Sequence, residues 1–214
     1  MRYLKRSPML LAALGVLLVG GGGAASAATT TASAALVKGE FIGQAGHLAD
    51  IGLSTNGKQV IAYLCDGTSR RVSLAQWFKG SVTKQGINIT NAHGAHLVAT
   101  VSAQAIKGTV KLKDGRSARF TARLLPSRSL LGLYRSEETF KRVRYLGGWI
   151  ITRIKLPGAA VAFPIGPEPE GGRGGIINER NGALIVSPRL RNFVSVTVPH
   201  LGTFHLARCR LARC

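Results

Sequence analysis

The chain has 214 residues, with 29 Lys and Arg against nine Asp and Glu and a formal net charge of +20. That length suits one domain, or one domain with an appendage. Nine acids leave little material for paired-carboxylate chemistry, and the cationic excess favours anionic partners by a long-range attraction that salt weakens. Nineteen of the 29 basic residues are arginine, a bias that a GC-rich coding sequence also produces and that also keeps a protein soluble. Net charge of this kind speaks to partners and solubility, never to fold.

Met1 to Arg6 is a basic n-region, Met9 to Gly20 is an apolar stretch of secretory length, and Ala25-Ser26-Ala27 supplies the small residues that a signal peptidase requires. Residues 1–27 are therefore read as a signal peptide of an exported protein. The apolar core dissolves into four glycines, short of the roughly 20 residues of a spanning helix, so no transmembrane segment is expected in the mature chain. The leader holds three basic residues and no acid, which leaves the mature chain 26 basic against nine acidic residues and a formal charge of +17. Residues 28–38, rich in Ala and Thr and without periodicity, read as a flexible lead-in.

From residue 39 to 163, short apolar or alternating runs are separated by turn residues, the pattern of an all-β meander. They are Phe41–Ala45, Ile51–Thr55, Lys58–Cys65, Arg71–Phe78, Ile87–Thr90, Leu97–Val101, Thr109–Lys113, Ala118–Leu124, Leu131–Arg135, Val143–Ile154 and Ala159–Phe163. Val60 to Cys65, bounded by Asn56-Gly57 and Asp66-Gly67, is the one run long enough to be buried on both faces, and the rest is expected to pack around it. No long helical stretch separates the runs, so the crossovers that parallel strands need are missing. The expected fold is an antiparallel meander closing as a barrel or a two-layer sandwich, either of which deals with exposed edges. At most one short helix is expected besides the signal peptide, over Ser136 to Arg142, where a serine precedes two acids.

The hairpin around Asp114-Gly115 allows a finer argument. Val110 and Leu112 alternate with Lys111 and Lys113, and Ala118, Phe120 and Ala122 alternate with Arg119, Thr121 and Arg123. A two-residue loop would set Val110 opposite Arg119 and mix the buried face with the wet one. A three-residue loop with Gly115 in the left-handed conformation keeps the faces apart. Lys111, Arg119 and Arg123 then share one outer surface.

Residues 164–175, PIGPEPEGGRGG, read as a linker or long loop. Residues 176–214 form a basic C-terminal extension with six arginines, one acid and two strand-like runs, Ala183–Val186 and Phe193–Val198. It is too short to bury a core of its own, so it either adds strands to the main sheet or stays loosely attached.

Tyr63-Leu64-Cys65-Asp66-Gly67, Trp77-Phe78-Lys79-Gly80, Gly108-Thr109-Val110, Asp114-Gly115, Phe120-Thr121-Ala122, Gly132-Leu133-Tyr134-Arg135 and Gly148-Trp149-Ile150 occur in one order along Gly39 to Ile151. In that order the chain resembles the β-rich extracytoplasmic domains of unknown function that recur in secreted and membrane-anchored proteins of high-GC Gram-positive bacteria. The resemblance implies a bacterial, exported β-meander and no known activity. Where those domains tend to follow Gly-Trp-Ile with an Asp-Gly turn, this chain has Thr152 to Gly158.

Catalytic chemistry finds little support. The acids sit mostly at turns, with Asp66 and Asp114 before glycines, and there is no Gly-x-Ser-x-Gly nucleophile elbow or phosphate-binding glycine loop. Cys65 with one of His47, His93, His96, His200 or His205 would make a cysteine–histidine pair, but a thiol in an apolar strand reads as a small hydrophobe. No catalytic residue, metal or cofactor is assigned. His200, His205, Cys209 and Cys214 have zinc-ligand types but loose spacing, with Arg208, Arg210 and Arg213 among them to repel a cation. In an exported chain a Cys209–Cys214 disulfide is simpler, with pairing to Cys65 left open. The basic hairpin face carries no aromatic side chain for base stacking, so sequence-specific nucleic-acid recognition is not expected. The sequence thus describes a secreted, envelope-associated binding or structural module, not an enzyme, contacting anionic cell-envelope polymers or lipid head groups through Lys111, Arg119 and Arg123. The alternative is an extracellular hydrolase with a site assembled from distant residues.

Overall fold

A computed structural model describes residues 37–156, 159–162, 173–188 and 194–214, with the backbone alone at 153–156, 159–162 and 173. Residues 1–27, for which a signal peptide is expected, residues 28–36 of the expected lead-in and residues 164–172 of the Pro/Gly segment lie outside the described residues. Eight consecutive strands form a closed antiparallel barrel: β1 (Lys38–Ala45), β2 (Ala49–Asn56), β3 (Gln59–Cys65), β4 (Ala75–Thr83), β5 (Gly86–Thr90), β6 (His96–Val101), β7 (Ala105–Lys111) and β8 (Ser117–Leu124). Each strand pairs with the next, and β1 closes on β8 with Ile42 opposite Arg123 and Gln44 opposite Thr121. The all-β meander expected from the sequence therefore closes as a barrel, which leaves these eight strands without a free edge.

Side chains fill the barrel, as expected at eight strands. Phe41, Leu53, Val60, Ala62, Leu64, Phe78, Ile87, Leu97, Ile106, Val110 and Phe120 meet in its interior. The outward side chains of the first strands are also apolar, and a second layer covers them. β9 (Gly132–Phe140), β10 (Val143–Ile151), β13 (Arg173–Asn178), β14 (Leu184–Val186) and β17 (Ala207–Arg208) form a five-stranded sheet in the order β14-β13-β10-β9-β17. Its Leu133 and Ile150 pack with Ile42, Ile61, Tyr63 and Cys65 from the barrel's outside, while Trp149 and Ile176 turn to the sheet's other face, where Phe204 lies. Every residue from Val60 to Cys65 is consequently buried, inward ones by the barrel and outward ones by the sheet. Tyr63 reaches furthest, its hydroxyl donating to the Gly175 carbonyl at 3.1 Å.

Two ribbons complete the described chain, β11 (Arg153–Leu156) with β12 (Ala159–Ala162) and β15 (Ser195–Val198) with β16 (Gly202–His205). β13, which begins at Arg173, pairs with β10, so the segment that follows residues 164–172 is built into the fold. Among the described residues no helix is long and apolar enough to cross a membrane.

The short helix expected at Ser136 to Arg142 is corrected by the structure. Ser136 to Phe140 continue β9, and the chain turns at Lys141-Arg142, with φ of 48° and 64°, into β10. The acids that suggested a helical first turn serve the strand: Glu137 pairs with Arg135 at 2.9 Å and with Arg144 on β10, and Glu138 accepts the His205 N–H at 3.0 Å. Pairing with β10 and burial of Ser136 outweigh a local capping preference.

The hairpin between β7 and β8 has the three-residue loop that alternation demands. Val110 faces Ala118, Lys111 faces Ser117, and Leu112 N–H donates to the Arg116 carbonyl at 2.8 Å. Gly115 sits at φ 91°, with nothing within 4 Å of where a Cβ would stand. Gly115→Ala is therefore expected to destabilise by about 1 kcal/mol through backbone conformation alone. Chemical denaturation checks this, and an unchanged midpoint would show the left-handed turn to be dispensable.

Candidate functional site

The second sheet covers one flank of the barrel and leaves the wall of β5 to β8 in water. A period of two alternates Ile106, Gly108 and Val110 inward with Lys107, Thr109 and Lys111 outward on β7. On β8 it turns Phe120 and Ala122 inward and Ser117, Arg119, Thr121 and Arg123 outward. Lys107, Lys111, Arg119 and Arg123 are all exposed. Lys111 stands opposite Ser117, Thr109 opposite Arg119, Lys107 opposite Thr121 and Ala105 opposite Arg123. Lys111, Arg119, Lys107 and Arg123 are thus successive diagonal neighbours, a zigzag with steps of about 7–8 Å between strand positions.

No described acid neutralises this zigzag. Asp114 is held by Arg116 at 2.8 Å in the turn, Glu137 by Arg135 and Arg144, Glu179 by Arg144 at 3.0 Å, and Glu40 by Arg208 at 2.9 Å. The Arg116 hydrogen bond holds the Asp114 carboxyl below the usual aspartate value, so that charge remains in the turn at neutral pH. Each neighbouring like pair on the wall repels by about 0.5 kcal/mol at the dielectric constant of water. The outward positions of β6, His96, Val98 and Thr100, and of β5, Asn88 and Thr90, add neither an acid nor a Phe, Tyr or Trp.

The structure brings Lys111, Arg119 and Arg123 together on one face as the alternation requires, and it adds Lys107. Sequence reasoning missed Lys107 because it began this strand at Thr109. The alternation of Ile106, Gly108 and Val110 already carried the phase.

The remaining candidates separate from one another. Cys65 is buried outside any disulfide, its sulfur accepting from the Gly67 N–H at 3.2 Å, and burial pushes its thiol up to about 12, so it is protonated at neutral pH. Cys209 and Cys214 form a disulfide, which removes both sulfurs as thiolate ligands beside His200 and His205. Among the described residues no three His, Cys, Asp or Glu side chains gather as a metal site. His47 is exposed in the turn after β1. A cavity of about 170 Å³ is lined by Ser73, Gln76, His93 and Leu184 among others. Asp66 beside it accepts the backbone N–H groups of Ser73 at 2.9 Å and Leu74 at 2.8 Å and also the Ser73 hydroxyl, which is the bonding of a loop cap.

One polar pair far from any motif went unread in the sequence. Glu40 on β1 and Arg208 on β17 meet at 2.9 Å with side chains only 11% and 10% exposed. Burial outweighs the attraction of Arg208 and raises the Glu40 carboxyl above its usual value. Arg208 also donates to the carbonyls of Ser129 and Leu131, which marks the pair as a structural anchor for the C-terminal segment.

Comparisons with models of protein families, with curated proteins and with solved structures find no match.

Proposed function

We propose that the chain is a secreted β-barrel binding module that docks on anionic cell-envelope material, a wall polymer or a lipid head-group surface, through Lys107, Lys111, Arg119 and Arg123. The observation that carries this reading is a zigzag of four exposed cations on the β7–β8 wall that no acid among the described residues neutralises. The +17 charge of the expected mature chain supports it, because long-range attraction would bring that wall to a polyanion. With no aromatic platform, the contact is electrostatic and reads charge spacing instead of bases or sugar rings. The resemblance to exported Gram-positive domains agrees with such a location.

A juxtamembrane or surface Lys or Arg contributes about 1 kcal/mol at an anionic surface. Replacing all four by glutamine is therefore expected to weaken adsorption to anionic vesicles or wall polymer about 10²- to 10³-fold at low salt. It should also flatten the salt dependence, since fewer counterions are released per contact. Cosedimentation across a salt series measures both. The fold should persist because all four side chains face water, and unchanged adsorption in the folded variant would remove this wall from the function.

A further inference from the structure

The geometry points to a second, separate binding site at one end of the barrel, a pocket for a phosphate group formed by Lys38, Asn56, Lys58 and Arg213 and flanked by Leu211. These residues line a cavity of about 340 Å³. That lies at the lower end of the roughly 300–1,000 Å³ typical of small-ligand pockets and leaves room for a phosphate and a substituent. Lys38 stands opposite Asn56 across β1 and β2, and Lys58 follows in the turn to β3. Arg213 arrives from the far end of the sequence.

The chemistry of the lining is one-sided. Lys and Arg are donors without acceptor capacity. The Asn56 Oδ1 already accepts from the backbone N–H groups of Lys58 at 2.9 Å and Gln59 at 2.7 Å, which leaves its NH₂ as the group to offer a ligand. Among the described residues none of the three cations has a carboxylate within ion-pair distance. Glu40, two positions along β1 from Lys38, is engaged by Arg208 and Arg210, and the Cys214 carbonyl accepts from Arg135 at 3.2 Å. A ligand here must therefore be rich in acceptors and negatively charged. Three cations suit a phosphate better than a monocarboxylate, and the guanidinium fork matches two phosphate oxygens at once. Leu211, 44% exposed, offers an apolar contact to the substituent.

The backbone that presents Arg213 is an independent observation. Leu211 and Ala212 are consecutive non-glycine residues with φ of 49° and 59°. Such a conformation persists only where the surroundings over-determine it, and it gathers at ligand clamps. Here the Cys209–Cys214 disulfide closes the loop, Arg210 and Arg213 bridge across it, and Ala212 N–H donates at 2.9 Å to the hydroxyl of fully buried Ser54 on β2. The tip of the chain is thereby fixed to the barrel beside Lys38 and Lys58. This site does not depend on the β5–β8 wall.

The test is a titration of the disulfide-intact protein with inorganic phosphate in phosphate-free buffer, read by the amide resonances of Lys58 and Leu211 to Arg213. Saturable shifts are expected, with affinity at least tenfold lower in Lys58→Gln/Arg213→Gln and within twofold of wild type in the four-fold wall variant of the preceding subsection. Acetate at equal concentration should give no saturation. An affinity unchanged by Lys58→Gln/Arg213→Gln, an equal loss in the wall variant, equal binding of acetate or absence of saturation would each overturn the site. Vesicles of phosphatidic acid in phosphatidylcholine, tested in the wall variant, separate the sources of the phosphate. Retention that inorganic phosphate competes away and Lys58→Gln/Arg213→Gln abolishes supports a lipid head group, while phosphate binding without retention supports a soluble phosphoryl ligand.

Discussion

Arg208→Ala is expected to cost about 3–5 kcal/mol at neutral pH, the range for breaking one side of a buried ion pair. The guanidinium satisfies Glu40 at 2.9 Å and the carbonyls of Ser129 and Leu131, and it lies 6.0 Å from the centre of the Tyr134 ring. Its removal leaves a carboxylate only 11% exposed with no strong partner, since Arg210 stands at 3.9 Å. The pH dependence follows from the direction of the Glu40 shift. Its folded carboxyl titrates above the ordinary value because burial outweighs Arg208, so the folded protein binds more protons than the unfolded chain between the two values. The stability associated with that excess is present below the unfolded value and is lost as pH rises through the folded one. Without Arg208 the folded value moves further up and the window widens. The loss measured by chemical denaturation should therefore be largest near pH 7 and shrink toward pH 4. A second variant, Arg208→Met with Glu40→Leu, should recover much of the loss by removing both charges. A cost below about 1 kcal/mol, or one equal at both pH values, would show that the pair does not anchor the segment.

The barrel was legible because its signal is local. β7 and β8 alternate cleanly between core and water, and a period of two fixes both the register and the odd loop at Gly115 without knowledge of the rest. Val60 to Cys65 announced double burial by an unbroken apolar run. β9 was legible only to Arg135, because its continuation carries Glu137 and Glu138, whose partners Arg144 and His205 lie on other strands. β13 was illegible for a related reason. Its Gly174 and Gly175 depress strand propensity, yet they let Trp149 and Tyr63 lie against the backbone. The pair of Glu40 and Arg208, 168 positions apart, leaves no local trace. The basic wall was legible in outline since outward phase on a strand is local, whereas the convergence of Arg213 with Lys38 and Lys58 exists only after the second sheet has brought the chain's end back to β2.

Trp149→Ala is expected to remove about 3–5 kcal/mol and to loosen the second sheet before the barrel. Trp149 is 1% exposed, and its indole N–H donates to the Ser187 hydroxyl at 2.7 Å, itself only 4% exposed. A Cβ at Gly147, two residues back on β10, or at Gly174, opposite Trp149 on β13, would collide with the ring, so glycine at both positions makes room for it. Truncation thus leaves a cavity walled partly by the backbone of Gly147 and Gly174, which side-chain rearrangement fills less readily, together with a buried hydroxyl deprived of one donor. The ring lies on the face of the second sheet turned away from the barrel, 6.4 Å from the Phe204 ring of β16, because its neighbours Gly148 and Ile150 face the barrel, and it is not part of the barrel interior. Amide exchange should accordingly accelerate first at Gly174 to Asn178 of β13, while Leu97 and Val110 inside the barrel retain protection until global unfolding. Trp149→Phe, which keeps most of the volume and loses the indole donor, should cost less than the alanine variant. If exchange instead quickens equally at β13 and in the barrel, the two layers open as one cooperative unit, and the tryptophan holds the whole molecule and not its second sheet alone.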